Sequence, residues 1–97
     1  LWRNLFKLEP IHYMRLPIIK HLSNFIEKND QDFIIETLQV FDDLIDARGL
    51  KDEELNVIGE LMSNMEGALE VHKLVKSGMT QKEALNTFMK RVSNIGK

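Results

Sequence analysis

Cysteine is absent from this 97-residue sequence. Its absence excludes disulfide bonds, thiolate nucleophiles, cysteine-ligated zinc and thiol redox motifs. No apolar run approaches the roughly 20 residues that a membrane-spanning helix requires. Charged side chains, among them Arg3, Lys7 and Glu9, interrupt the N-terminal region, so it does not match a signal peptide. We therefore expect a small cytoplasmic protein with no membrane association.

Motifs of catalysis and metal binding are also lacking. No serine lies in a Gly-x-Ser-x-Gly elbow, and no glycine-rich phosphate loop is present. The residues three positions before His21 and His72 are isoleucine and leucine, so neither histidine belongs to a Glu-x-x-His pair; a third histidine, His12, is also isolated. We predict no enzymatic activity, no cofactor and no metal. Whether His21 and His72 serve a function or lie at the edge of the core stays open.

Charge is unevenly distributed along the chain. Residues 1–26 carry a net charge of +3, residues 27–70 carry −10 and residues 71–97 carry +5. Such a pattern can serve intramolecular attraction, a symmetric dimer or an acidic partner for the tail, and it is also compatible with ordinary solvated helix faces. The acidic cluster of Asp42, Asp43 and Asp46 has the same two interpretations, since it could bind a cation or a basic partner or be solvated.

Apolar residues recur with helical periodicity in four segments, and no segment shows the alternation of a strand. The pattern predicts an all-α domain of four helices, at residues 17–28, 31–47, 53–77 and 81–93, with a long central third helix. The predicted buried faces comprise Ile18, Ile19, Leu22, Phe25 and Ile26 in the first helix; Phe33, Ile34, Ile35, Leu38, Phe41, Leu44 and Ile45 in the second; Leu55, Ile58, Leu61, Met62, Met65, Ala68, Leu69, His72 and Val75 in the third; and Ala84, Leu85, Phe88, Met89 and Val92 in the fourth.

Start and stop signals support these segments. Pro17 suits the first turn of a helix, and Asp30 can cap the second helix. Gly49 provides a left-handed stop after the second helix. Thr80 and Glu83 form a capping box, in which each side chain can bind the backbone N–H of the other residue.

The third helix carries a row of small residues. Asp52 is the predicted N-cap and Gly78 the predicted end of this helix. Gly59, Ser63 and Gly67 lie four apart and therefore line one side of it. Because each glycine inside a helix costs roughly 1 kcal/mol relative to alanine, we predict that this seam forms a close contact with another helix, within one subunit or across a dimer interface.

Residues 1–13 differ from the rest of the chain. Their apolar residues could form a short amphipathic turn that Pro10 would end, whereas the sequence from Met14 resembles a translation start that leads directly into a helix. We interpret residues 1–13 as an N-terminal arm or an upstream non-native extension, and residues 14–97 as a single helical domain.

From Met14 onward the chain resembles a family of short helical proteins of unknown function from flavobacteria and their relatives. The resemblance is carried by Met14-Arg15-Leu16-Pro17, by residues 50–55 and by residues 78–91. It implies a bacterial, cytoplasmic origin and a start at Met14. It implies no activity and no functional residues.

These observations favour a non-enzymatic helical interaction module that self-associates as a homodimer through a helix face, or else binds another protein. One alternative is a nucleic-acid or ribosome-associated protein using the basic surface of the last helix, formed by Lys82, Lys90, Arg91 and Lys97. The lack of interleaved exposed aromatic residues makes this less favoured. The least favoured alternative is an enzyme with an unrecognised site around His72, Glu70 and Asp46.

Overall fold

The computed structural model describes residues 14–95. This part of the chain contains four helices and no strand: α1 (Leu16–Lys28), α2 (Gln31–Leu44), α3 (Asp52–Lys76) and α4 (Gln81–Ile95). The long α3 packs against α1, α2 and α4. The predicted all-α fold with a central third helix is confirmed. Residues 1–13, interpreted above as an N-terminal arm or an upstream extension, lie outside the described residues.

The ends of α2 follow from local hydrogen bonding and charge. Asp30 caps the helix as predicted, because its Oδ1 accepts a 2.9 Å hydrogen bond from the Asp32 N–H. The helix ends at Leu44, three residues before the predicted end. Its last turn carries no basic residue, so acidic side chains there oppose the helix dipole. The chain after Leu44 then tightens into turns, in which the N–H of Ala47 bonds the carbonyl of Leu44, before Gly49 adopts a φ of +102°.

The predicted N-cap of α3 is wrong by one residue. Lys51 is the N-cap and Asp52 is the first helical residue. The cap is completed by the Glu54 carboxylate, which accepts a 2.9 Å hydrogen bond from the Lys51 N–H. A carboxylate one turn into the helix can satisfy this donor without a polar side chain at the cap itself. Gly78 follows the helix end with a φ of +120°, as the predicted stop requires.

The capping box of α4 is confirmed. Thr80 donates its N–H to Glu83 Oε1 over 2.9 Å, and Glu83 donates its N–H to Thr80 Oγ1 over 3.1 Å. The hydrogen bonds from the Thr80 backbone and hydroxyl lower the pKa of the Glu83 carboxyl. The helix continues to Ile95, two residues beyond the predicted end.

The core lies where α3 meets the other helices. Its buried apolar residues are Ile19, Ile26, Ile34, Leu38, Met62, Ala68, Val71, Ala84, Leu85, Phe88 and Val92. Val71 was missing from the predicted face of α3. Five residues of the predicted buried faces are instead exposed: Phe25, Phe33, Ile35, Leu44 and Leu61. These helices have apolar residues on more than one side, and only one side of each meets the core.

Two buried polar side chains join α1 to its neighbours. Asn64 is fully buried on α3, where its Oδ1 accepts a 2.8 Å hydrogen bond from the N–H of Arg15 and its Nδ2 donates to the carbonyl of Glu60 over 2.7 Å. Ser23 is buried on α1, and its Oγ accepts a 3.2 Å hydrogen bond from Gln81 Nε2 at the start of α4. Sequence periodicity did not identify either residue, because both are polar.

Candidate interaction surfaces

Helix α2 presents its apolar residues on two separate faces. The inner face, which contacts the core, comprises Ile34, Leu38, Phe41 and Ile45, the last just after the helix end. Three other apolar side chains of α2 lie outside this inner face and are exposed: Phe33 by 55%, Val40 by 64% and Leu44 by 37%. At about 100° per residue, these three positions fall within about 40° of the helix circumference. They form a second apolar row about 16 Å long.

The second row continues onto α1. The rings of Phe25 and Phe33 meet edge to face, with centroids 5.8 Å apart and planes at 82°. This geometry is a favoured aromatic arrangement, so the two rings support each other while both remain partly exposed. We define the outer apolar face as Phe25, Phe33, Val40 and Leu44.

An acidic row borders the outer apolar face. Asp32, Glu36 and Asp43 are all exposed, and the helical periodicity places them within about 40° of one another, next to Phe33, Val40 and Leu44. Helix α2 contains four carboxylates and no lysine or arginine. An exposed apolar row bordered by charged side chains is an arrangement found at interaction surfaces.

The remaining acidic residues near the end of α2 lie apart from this row. Asp42 is half-buried, and its Oδ1 is enclosed with no hydrogen-bond partner among the described residues. Asp46 is exposed in the turns after the helix. Across residues 14–95, no group of three or more histidine and acidic side chains is arranged to hold a metal ion.

A smaller apolar surface involves α1 and α3. Leu16, Val57 and Leu61 are partly exposed. Glu60, on the same helix as Val57 and Leu61, forms an ion pair with Arg15, with 3.3 Å between Glu60 Oε1 and Arg15 Nη2. The charge on this side of α3 is therefore partly neutralised within the chain, unlike that of the acidic row.

The predicted basic surface of α4 is divided between two sides of the helix. Lys82, Lys90 and Arg91 are exposed, whereas Lys97 lies outside the described residues. Lys82 and Lys90 fall within about 80° of each other, but Arg91 lies about 180° from Lys82. The half-buried Met89 is on the side of the two lysines. A shallow groove of about 420 Å³ opens there, lined by Asn86, Met89, Lys90 and Ser93.

The residues of the predicted small-residue seam, Gly59, Ser63 and Gly67, are all buried. A Cβ atom at Gly67 would lie 3.0 Å from Ile19 Cδ1 and 3.1 Å from Phe88 Cε2. At this position, α1 and α4 of the same chain therefore approach the α3 backbone closely.

Two of the candidate catalytic residues, His72 and Glu70, each lie near another ionisable side chain. His72 is buried, and its Nδ1 lies 3.5 Å from Glu27 Oε2, which is longer than a good hydrogen bond. Glu70 forms an ion pair with Lys73 at 3.1 Å. His72 and Glu27 line a cleft of about 340 Å³ between the end of α1 and the end of α3. His21 is exposed.

Glu66 is half-buried on α3. Burial raises the pKa of its carboxyl, and the nearby Glu70 raises it further, while Lys73 partly opposes both effects. This carboxyl is therefore less readily ionised in the folded chain than in water.

None of the helices in residues 14–95 is both long enough and apolar enough to cross a bilayer. In a comparison with protein families, the model of a family described as a family of unknown function (DUF6952) matches residues 14–95. No curated protein and no solved structure matches the chain.

Proposed function

We propose that this chain, which belongs to the DUF6952 family of unknown function, is a non-enzymatic protein–protein interaction module that self-associates through its outer apolar face. The observation that carries the proposal is the exposure of Phe33, Val40 and Leu44 in one row, beside an acidic row that no cation on α2 neutralises. Gly67 is already in contact with α1 and α4 of its own chain, so at this position the small-residue seam packs within one subunit.

The expected association is weak. Complete burial of a large apolar side chain contributes about 1.5–3 kcal/mol. The four residues of the outer apolar face are already partly covered by their own chain, so we expect about 3–6 kcal/mol from burying the remainder. Loss of translational and rotational freedom offsets much of this gain. Association should therefore depend strongly on protein concentration.

Sedimentation equilibrium over a wide concentration range tests the proposal. The unmodified chain should increase in mean mass with concentration, and Val40→Ser should weaken this increase because it removes the most exposed side chain of the face. Val57→Ser is the matched control, since Val57 is a valine of α3 with 54% exposure that lies outside the face. A monomer mass at every concentration, or equal losses in both variants, would contradict the proposal.

The nucleic-acid alternative is supported less well by the geometry. Lys82 and Arg91 are on opposite sides of α4 and therefore cannot follow one phosphate backbone together. Retention on immobilised RNA or DNA that decreases with salt would favour this alternative over the interaction module.

We further propose that the protein acts in the cytoplasm of a bacterial cell. The support is the absence of cysteine and the resemblance from Met14 onward. Fractionation of cells expressing the tagged protein tests this location, and recovery in a secreted or membrane fraction would contradict it.

A further inference from the structure

We propose that the outer apolar face of one copy docks on α4 of a second copy, on the side that carries Lys82, Met89 and Lys90. This inference rests on the proposed self-association and identifies the surface that the outer apolar face contacts. The contact is heterologous, because two different surfaces of the same chain meet.

Charge argues against two outer apolar faces packing on each other. Such a pair would bring the acidic rows of two α2 helices together, each formed by Asp32, Glu36 and Asp43. Like charges placed opposite each other in an interface repel and oppose association. Helix α2 has no lysine or arginine to relieve this repulsion.

Helix α4 has the complementary charge. It carries three cations and one carboxylate, and Lys82 and Lys90 project from one side. Neither lysine forms an ion pair with another described residue. Both are therefore available to carboxylates of a second copy.

The spacing of the charges also agrees. Lys82 and Lys90 are eight residues apart, about 12 Å along the helix axis at 1.5 Å per residue. Glu36 and Asp43 are seven residues apart, about 10.5 Å along α2. Two helices packed side by side can therefore form both ion pairs at once.

The α4 surface also provides a site for apolar side chains. The shallow groove beside Met89 and Lys90 is open on the same side as the two lysines. Methionine adapts its shape to a partner because its unbranched side chain has three rotatable bonds. Val40 or Leu44 of the copy that contributes the outer apolar face can occupy this groove while its acidic row meets the lysines.

Charge exchange tests the contact. Glu36→Lys/Asp43→Lys reverses the acidic row, and Lys82→Glu/Lys90→Glu reverses the α4 side. Each double variant alone should raise the dissociation constant for self-association at least about tenfold, because like charges then face each other. An equimolar mixture should associate again, since each reversed surface meets its complement on the other variant. Analytical ultracentrifugation measures the masses, and circular dichroism verifies that both variants remain folded.

Two controls separate a specific contact from general attraction. Arg91→Glu makes the same charge change as one lysine substitution, but Arg91 lies about 180° from Lys82 and about 100° from Lys90 around α4, so association should be preserved. Glu53→Lys reverses an exposed carboxylate of α3, and adding this change to the Lys82→Glu/Lys90→Glu chain should not restore its self-association, because the acidic row still faces the two reversed positions of α4. Restoration by Glu53→Lys would overturn the proposed contact.

The outcomes also distinguish this inference from the proposed function. If the unmodified chain associates and Lys82→Glu/Lys90→Glu associates equally well, α4 is not the partner surface, although self-association survives. If Glu36→Lys/Asp43→Lys alone associates more tightly than the unmodified chain, two α2 faces pack together instead. If the unmodified chain remains monomeric, the proposed self-association is itself wrong.

Discussion

Alanine at Gly67 is expected to destabilise the fold, although alanine is the better helix former. The new methyl group would lie 3.0 Å from Ile19 Cδ1, and 3.1 Å and 3.2 Å from two ring atoms of Phe88. Favourable carbon–carbon separations are about 3.5–4.0 Å, so the neighbouring side chains must move apart. Both neighbours are buried and have little room to do so.

The magnitude follows from two opposing contributions. Helix propensity favours alanine over glycine by about 1 kcal/mol. Insertion of an extra carbon into a well-packed core costs typically about 1–3 kcal/mol. The expected result for Gly67→Ala is a decrease of about 0–2 kcal/mol in the free energy of unfolding, measured by urea denaturation.

A double-mutant cycle isolates the crowding. Ile19→Val removes Cδ1, the atom nearest the new methyl group, and alone should cost about 0.5–1.5 kcal/mol. In the Gly67→Ala background the same change should cost at least about 0.5 kcal/mol less, because it also relieves the close contact. Ile26→Val is the matched control, since Ile26 is a buried isoleucine two helical turns further along α1, and its effect should be additive.

Two results would refute this reasoning. One is a Gly67→Ala variant that is more stable by about 1 kcal/mol, as helix propensity alone predicts. The other is additivity of Gly67→Ala and Ile19→Val within about 0.3 kcal/mol.

Three further predictions follow from polar groups of the fold. Asn64→Ala should reduce the free energy of unfolding by about 1–3 kcal/mol in urea denaturation, because the Arg15 N–H loses its buried acceptor. As a control, Glu60→Gln weakens only an exposed ion pair and should reduce the free energy of unfolding by less than about 1 kcal/mol. Glu66→Gln should raise the melting temperature above that of the unmodified chain by more at pH 7 than at pH 4. The pKa of Glu66 is raised in the folded chain, so ionisation of this carboxyl removes stability as pH rises through that pKa. An equal effect of the substitution at both pH values would contradict this. Glu83→Gln should reduce the loss of stability on acidification below about pH 4.5, because the pKa of Glu83 is lowered on folding and its contribution is lost as pH falls through the folded value.

The local features of this protein were predictable from the sequence. The capping box at Thr80 and Glu83, the Asp30 cap and the stop at Gly78 act within a few residues. Their hydrogen bonds and backbone angles depend on neighbours in the chain, so the residue types are sufficient to identify them. Gly49 has the predicted left-handed φ, although α2 ends before it, at Leu44. The one cap predicted wrongly, at the start of α3, depends on Glu54, which satisfies the Lys51 backbone whether or not a polar side chain occupies the cap.

Tertiary packing decided which apolar residues are buried. In α2, two apolar rows have similar composition, yet only the row that contains Ile34 and Leu38 contacts the core, while Phe33 and Val40 remain exposed. Helical periodicity gives the angle between two rows, but the neighbouring helices determine which row is covered. The candidate interaction surface is this uncovered row, and its residues were first predicted to belong to the core or left unassigned.

The central helix α3 contains a buried polar residue that the sequence did not predict. The sequence alone indicated that α3 is long and central, because its apolar residues from Leu55 to Val75 extend over about six turns. It could not indicate that Asn64 is fully buried, since an asparagine is favourable inside a protein only where partners satisfy its amide. Those partners, the N–H of Arg15 above all, are distant in the chain and meet Asn64 only when α1 packs on α3.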